Sequence, residues 1–384
     1  MTLDDKFIRA YGFDEIALVP GDSTLDPSLV DISTTVAGIK LRIPIIGSAM
    51  DSVVSPRTAG VLGKFGSMGV LNLEGVQTRY DNPDEILEQI AGVAKQDYVA
   101  LMQKVYQQNP VRDDLVVKRI QEIKETGAPV VVSSTPQNAF HFGEIACKAG
   151  VDAFLIQSTV VSTSHRSPEG LTPLDLEAFC KKMTVPVMVG NSATYKVTLE
   201  LIKTGVDAVF VGIGPGAACT TRGVLGVGVP MATSVVDAVK ARNEYFEETG
   251  KYVSIIADGG IVNSGDICKA LACGADAVMI GSPIARSVEA PGRGFHWGMA
   301  TPNAVLPRGA RIQVGTVANL EEILVGPSDS DDGSKNFYGA IQTCMATVGA
   351  ANLAEMHQVQ LMIAPSLLTE GKIYQKAQSL GMYK

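Results

Sequence analysis

A (β/α)8 barrel is predicted for this 384-residue chain by three features of its sequence. Eight apolar runs alternate with stretches of helical periodicity, the runs are continuously apolar, and one helix-to-strand step recurs. Continuous apolar strands belong to a parallel sheet buried on both faces, and the βα alternation supplies its crossover helices. The recurring step is Gly150-Val151-Asp152-Ala153, Gly205-Val206-Asp207-Ala208 and Gly274-Ala275-Asp276-Ala277, before the fourth, sixth and eighth runs. The unit thus repeats every second strand. A doubly wound open sheet is the alternative, but no GxGxxG with a trailing acid supports it. Residues 1–384 are read as one barrel domain.

The first run is Ile43–Ala49, followed by a short helix over Pro56–Phe65 and a second strand at Met68–Asn72. Asp81-Asn82-Pro83 starts a helix from Asp84 to about Ala94, since proline suits the first helical turn. Gln96–Pro110 reads as a polar connection, and Asp113–Thr126 as an amphipathic helix with acids at its start. Strands then follow at Pro129–Ser133, Ala153–Gln157, Val185–Gly190, Ala208–Gly212, Val253–Asp258 and Ala277–Gly281. The glycine-rich stretch at about 290–315 is read as a lid, because long irregular loops in compact domains are usually functional. The acidic stretch at about 325–335 reads as a mobile surface segment. Phe337–Ala350 resumes a helical pattern, and the last residues read as peripheral.

Composition narrows the function. A hydrophobic fraction of 46% with 39 glycines suits an α/β enzyme rather than a disordered chain. The net charge of −8 is dispersed without a basic stripe, which argues against nucleic acid as a partner. Met1–Arg9 is charged and has no apolar core, unlike a signal peptide, and no apolar run is long enough to cross a bilayer. Six cysteines without a CxxC pair read as reduced thiols of a cytoplasmic protein. Four histidines without ligand spacing give no basis for a zinc site.

Barrel chemistry sits at the carboxyl ends of the strands. The residues there are Ser48 and Met50, Asn72, Ser133, Ser158 and Thr159, Asn191, the loop Gly212–Arg222, Asp258-Gly259-Gly260, and Gly281-Ser282. Cys219 ends the loop Gly212-Ile213-Gly214-Pro215-Gly216-Ala217-Ala218, with Thr220, Thr221 and Arg222 behind it. A lone cysteine is more often a small buried hydrophobe; one placed where a strand opens into a glycine loop is a candidate nucleophile. The glycine pairs after the seventh and eighth strands stand where such barrels cradle phosphate with backbone N–H groups. Alone, each would be a turn. Asp258 can accept two hydrogen bonds, as from a ribose diol, or simply cap a turn.

The segments GIGPGAACTTR, Asp258-Gly259-Gly260 and GADAVMIGSPIA…EAPG, taken together, resemble the IMP dehydrogenase/GMP reductase family from about Phe13 to Leu353. The resemblance implies a homotetrameric barrel, with pairing into an octamer as a further option, holding a purine mononucleotide at its mouth. Cys219 matches the family's nucleophile, which attacks C2 of IMP before hydride passes to NAD; water then releases XMP. Thr221 matches the hydroxyl that positions the water. Gly214, Gly216 and Cys219 match carbonyl ligands of a potassium ion. Ser48 and Met50 match nucleotide contacts, Asp258 the acid on the ribose, and Gly259, Gly260, Gly281 and Ser282 the phosphate cradle. Gly298 and Met299 match the pair facing the base. Ser158, Thr159, Asn191 and Gly212 fall where the family meets the nicotinamide half.

The departures are specific. A regulatory pair of CBS modules usually occupies the connection that here holds only Gln96–Pro110. The family's phosphate-binding serine is Ala217, a tyrosine of the phosphate site is His296, an aspartate of the nicotinamide site is Gln157, and a basic residue before the glycine loop is Phe210. Ala300–Leu306 is too short for the usual flap and lacks its Arg-Tyr pair, which leaves Arg308 as the candidate to assume part of that role. Arginine is a poor base because its pKa exceeds about 12, so Arg308 would orient water or be a surface charge. GSPIA and EAPG favour an IMP dehydrogenase. A GMP reductase using NADPH, favoured by the missing CBS pair, and a nucleotide sensor without turnover are the alternatives.

Overall fold

The computed structural model describes residues 7–166, 168, 172–299, 310–364 and 371–381. The chain starts with β1 (Ile16–Leu18) and a hairpin of β2 (Thr34–Val36) and β3 (Ile39–Leu41). The barrel then begins at β4 (Ile45–Gly47), α1 (Pro56–Lys64) and β5 (Met68–Asn72). Three helices follow: α2 (Pro83–Gly92), α3 (Tyr98–Gln108) and α4 (Asp113–Glu125). The regular part runs β6 (Val131–Ser134), α5 (Ala139–Ala149), β7 (Ala153–Gln157), α6 (Leu176–Lys182), β8 (Val187–Ser192), α7 (Tyr195–Lys203) and β9 (Ala208–Val211). It finishes with α8 (Thr221–Leu225), α9 (Met231–Thr249), β10 (Ser254–Asp258), α10 (Ser264–Ala272), β11 (Ala277–Ile280) and α11 (Ser282–Ala285). Strands β4 to β11 form one closed parallel barrel in chain order, with β11 pairing back to β4. All eight predicted apolar runs are its strands.

The recurring Gly-x-Asp-Ala step has a mechanical role. The Oδ2 atoms of Asp152, Asp207 and Asp276 accept the backbone N–H of Val130, Val187 and Ile255, at 2.7, 2.9 and 2.7 Å. Each aspartate also donates its own N–H to the carbonyl of that residue. Strands β7, β9 and β11 are thereby each latched to the start of the strand before, which fixes their register on entry to the sheet. Glycine ends the preceding helix because the chain must turn through positive φ, 87° at Gly150 and 100° at Gly274.

Inside the barrel, Ile46, Met68, Val70, Val131, Leu155, Met188, Phe210, Ile256 and Met279 fill the interior, each fully buried. Phe210 belongs to this packing. Burying each such side chain stabilises the fold by about 2 kcal/mol. Val36, Ala37 and Leu41 of the hairpin join the same cluster and plug its amino-terminal end, and the Ser254 hydroxyl reaches the Thr35 carbonyl at 3.4 Å.

Two stretches differ from their sequence-based reading. The polar connection Gln96–Pro110 contains a full helix, α3, because Tyr98, Met102, Val105 and Tyr106 share one face. Met102, Val105 and Tyr106 are buried with Leu87, Ile90 and Trp297. The chain's end is not merely peripheral: β14 (Leu361–Ile363) pairs antiparallel with β1, Ile16 opposite Ile363.

Within the stretch read from the sequence as a lid, β12 (Phe295–Trp297) and β13 (Arg311–Gln313) pair as an antiparallel ribbon. The Arg311 guanidinium stacks 4.4 Å from the Phe295 ring centroid and donates to the Val93 carbonyl at 2.8 Å. Arg308 and Ala300–Leu306 lie outside the described residues. Beyond α12 (Leu320–Leu324), the acidic stretch expected to be mobile carries its own bonds. Lys335 pairs with Asp329 at 2.6 Å, Asp332 accepts from the Ser334 amide at 3.0 Å, and Gly333 accepts from the Ser264 amide at 2.8 Å. Asn336 then caps α13 (Phe337–Val348). No helix among the described residues is long and apolar enough to cross a membrane.

Candidate active site

β9 ends at Val211, and the glycine-rich loop behind it rises over the carboxyl end of the barrel. Gly212 starts it at φ 148°, where a Cβ would lie 2.2 Å from the Asp258 carbonyl oxygen. Only glycine brings the end of β9 this close to that of β10. Further along, a Cβ on Gly260 would meet Pro215 at 2.9 Å, and one on Gly259 would sit 3.5 Å from the Gly216 nitrogen. The Cys loop therefore rests on Asp258-Gly259-Gly260.

Cys219 is an exposed free thiol at the loop's end. Its amide donates to Gly216 O at 3.0 Å, and its sulfur lies 3.2 Å from Thr221 Oγ1. Thr221 is buried at the start of α8, so the hydroxyl is fixed while the thiol faces outward. Arg222 fastens both flanks of the loop, donating to the carbonyls of Ile213 at 3.2 Å and Val229 at 2.7 Å.

Asp258 ends β10 in a ring of amides. Asn191 Nδ2 donates to its Oδ2 at 2.7 Å and Gln157 Nε2 to the same oxygen at 3.0 Å. Asn191 also donates to Gly212 O at 3.0 Å, joining the ring to the Cys loop. Burial pushes the Asp258 carboxyl up to about 6, while the two amide donors pull the other way. Ser158 belongs to this side, exchanging backbone bonds with Gly190 and Asn191 at 2.9 and 3.1 Å, and half-buried Thr159 follows it.

Opposite lies a cradle between β11 and the ribbon. A Cβ on Gly281 would stand 3.0 Å from His296 Cε1 and 3.5 Å from Ser48 Oγ, so these three converge. His296 shares a 3.0 Å hydrogen bond with Ser52 through Nδ1, and burial pushes its pKa down to about 4. At neutral pH the ring is therefore uncharged. Ser282 starts α11 beside Gly281, and half-buried Gly298 and Met299 continue from β12. Gly281 adopts φ −106°, which any residue tolerates, so Gly281→Ala fills the cradle without straining the backbone. We expect it to weaken mononucleotide binding about 10- to 100-fold and, because the buried His296 ring must shift to admit the methyl, to cost about 1–2 kcal/mol of stability; isothermal titration and thermal melts check both.

The first βα loop is held from two sides. Asp51, directly after half-buried Met50, accepts from Val76 N at 2.8 Å and from Tyr106 Oη at 2.6 Å. Trp297 Nε1 donates to that same Tyr106 oxygen at 3.1 Å. Asp51, Ser52, Tyr106 and the inward role of Gln157 are absent from the residues singled out in the sequence, whereas Trp297 lies in the stretch read there as a lid. The Tyr98–Tyr106 spacing was the available signal for Tyr106; the others are defined by partners distant in the chain.

The family model described as the IMP dehydrogenase/GMP reductase domain matches residues 10–304. An uncharacterized oxidoreductase of Mycolicibacterium smegmatis is 38% identical over 92% of this chain and 96% of its own. The inosine-5'-monophosphate dehydrogenase of Escherichia coli is 31% identical, over 74% of this chain and 75% of that one. The crystal structure of an IMP dehydrogenase/GMP reductase-like protein from Corynebacterium glutamicum superposes with a TM-score of 0.86 at 34% identity, covering 92% of this chain and 94% of that one.

Proposed function

The chain belongs to the IMP dehydrogenase/GMP reductase family of oxidoreductases, and from that premise we propose that it is an NAD-dependent IMP dehydrogenase serving guanine nucleotide synthesis. The observation that carries this reading is the exposed Cys219 thiol held 3.2 Å from a buried threonine hydroxyl. The Cys219 thiolate adds to C2 of IMP, and the C2 hydride leaves to NAD+, which gives a thioimidate and NADH. Water then adds at C2, the C–S bond breaks, and XMP and a proton leave with the thiolate restored. A covalent intermediate divides a difficult oxidation into two steps. Thr221 orients the water, with Arg308 as the further candidate for that step.

Ser48, Gly259, Gly260, Gly281, Ser282 and His296 receive the phosphate, and Met50, Gly298 and Met299 the base. Both amide donors fall on Asp258 Oδ2, which leaves Oδ1 for the ribose hydroxyls. Ser158, Thr159, Asn191 and Gly212 line the nicotinamide side, where Gln157 turns its amide inward to Asp258. A potassium ion would rest on the carbonyls of Gly214, Gly216 and Cys219. That of Gly216 already accepts the Cys219 amide, so the ion would share this oxygen and stiffen a loop that Arg222 already fastens. The active assembly is proposed as a homotetramer, with an octamer as its doubled form.

The replacement of a regulatory module by α3, an 11-residue helix, favours GMP reductase as the second reading. One experiment separates the two. The protein is incubated with IMP, NAD and potassium, then with GMP and NADPH, while reduced-nicotinamide absorbance is followed. A rise in the first mixture is the expected result; a fall in the second alone makes the chain a reductase, and silence in both leaves a sensor.

A further inference from the structure

We propose that Tyr106 is a positioning residue of the nucleotide site, acting from α3 on two of its loops at once through Asp51 and Trp297. The inference rests on the nucleotide-binding roles given above to Met50 and Met299. Tyr106, Asp51 and Trp297 are 3%, 1% and 0% exposed, so their polar atoms are shielded from water. Tyr106 Oη donates to Asp51 Oδ2 at 2.6 Å and accepts from Trp297 Nε1 at 3.1 Å. Its oxygen also lies 3.7 Å from Met299 Sδ. Asp51 is the neighbour of Met50 on the first βα loop, and the same Oδ2 takes the Val76 amide at 2.8 Å.

One phenol therefore joins the loop carrying Ser48 and Met50 to the ribbon carrying His296, Gly298 and Met299. The ribbon is also tied to that loop by Ser52, whose hydroxyl meets His296 Nδ1 at 3.0 Å. A short bond to a buried carboxylate is among the stronger kinds, and its loss takes one donor from Asp51 and the Oη acceptor from the Trp297 indole, loosening the link between the two loops. Movement here displaces the two methionines that flank the base. Helix α3 thus contributes an internal brace from the connection between β5 and β6.

The chain's single tryptophan is Trp297 itself, which gives the test a direct spectroscopic readout. Tyr106→Phe in the full-length protein removes only Oη. The expected result is a blue shift of tryptophan emission and a Kd for IMP, or for GMP, raised about tenfold by isothermal titration. In turnover, KM for the nucleotide should rise by the same factor, with kcat changed far less. Trp297→Phe removes the other end of the bond and is expected to raise Kd about threefold, which keeps the test valid if the first variant does not fold. A lowered Tm with unchanged Kd in both variants assigns Tyr106 a purely structural role and overturns the proposal. If the wild type turns over GMP with NADPH instead, the dehydrogenase reading fails while the Tyr106 comparison, made on GMP, still decides. Wild-type protein that binds neither nucleotide overturns both.

Discussion

Cys219→Ser is expected to lower turnover by roughly four orders of magnitude while leaving IMP affinity within a few-fold. A serine hydroxyl is a far weaker nucleophile than a thiolate unless a base removes its proton. The hydroxyl of Thr221, 3.2 Å from Cys219 Sγ, cannot serve as that base. His296, the imidazole of the cradle, is held by Ser52, with burial keeping its pKa near 4. The exposed thiol also predicts a protection experiment: iodoacetamide should label Cys219 first among the six free cysteines, and IMP with NAD should block it. Full activity in the serine variant would falsify the nucleophile assignment and, with it, the covalent route.

Asp258→Asn should separate stability from activity. The folded-state pKa of Asp258 is raised by burial from 3.8 to about 6. Its contribution to stability is therefore fully present below pH 3.8 and lost as pH rises through about 6, so the ionised carboxylate destabilises the neutral-pH fold. Asparagine keeps an acceptor for the Asn191 and Gln157 amides but never ionises. We expect the variant to be more stable at pH 7.5 by about 1–2 kcal/mol, and kcat/KM to fall about 100-fold or more as the ribose loses its charged acceptor. In the wild type, kcat/KM should fall below about pH 6 as Asp258 protonates. His296 acts with the opposite sign: its pKa is lowered from 6.5 to about 4, so its contribution is lost as pH falls through that window. Removing the Asp258 term should make Asp258→Asn lose stability more steeply on acidification than the wild type. Denaturant titrations at pH 7.5, 6 and 5 measure these slopes, and parallel curves for the two proteins would refute the assignment.

What the sequence made legible was what lies close together along the chain. The barrel strands could be read because each is a continuous apolar run, and the recurring Gly-x-Asp-Ala step marked alternate strands, while the bonds its aspartates make belong to the folded sheet. The Cys loop and the Asp258-Gly259-Gly260 turn could be read as local motifs. Helix α3 was hidden because glutamine and lysine dominate its exposed side. The β2–β3 hairpin was hidden because three-residue strands carry too little periodicity to register. In the site, Gln157 and Tyr106 escaped for another reason. Their hydrogen bonds reach partners 101 and 55 residues away, a relation that only the closed barrel supplies.

The pairing of β1 with β14 brings an early strand and a late strand of the chain side by side. Val19 donates to Gln360 O at 2.9 Å and Ala364 to Glu15 O at 2.8 Å, so the paired segments are sewn along their length. A circular permutant closed across this seam, and opened at a surface loop such as that between α4 and β6, should keep every barrel strand in its place. Conversely, deleting the chain from residue 360 onward would strip the first strand of its partner while the catalytic loop stayed untouched. A donor–acceptor dye pair placed on the two paired strands would report unzipping of this seam as a loss of energy transfer.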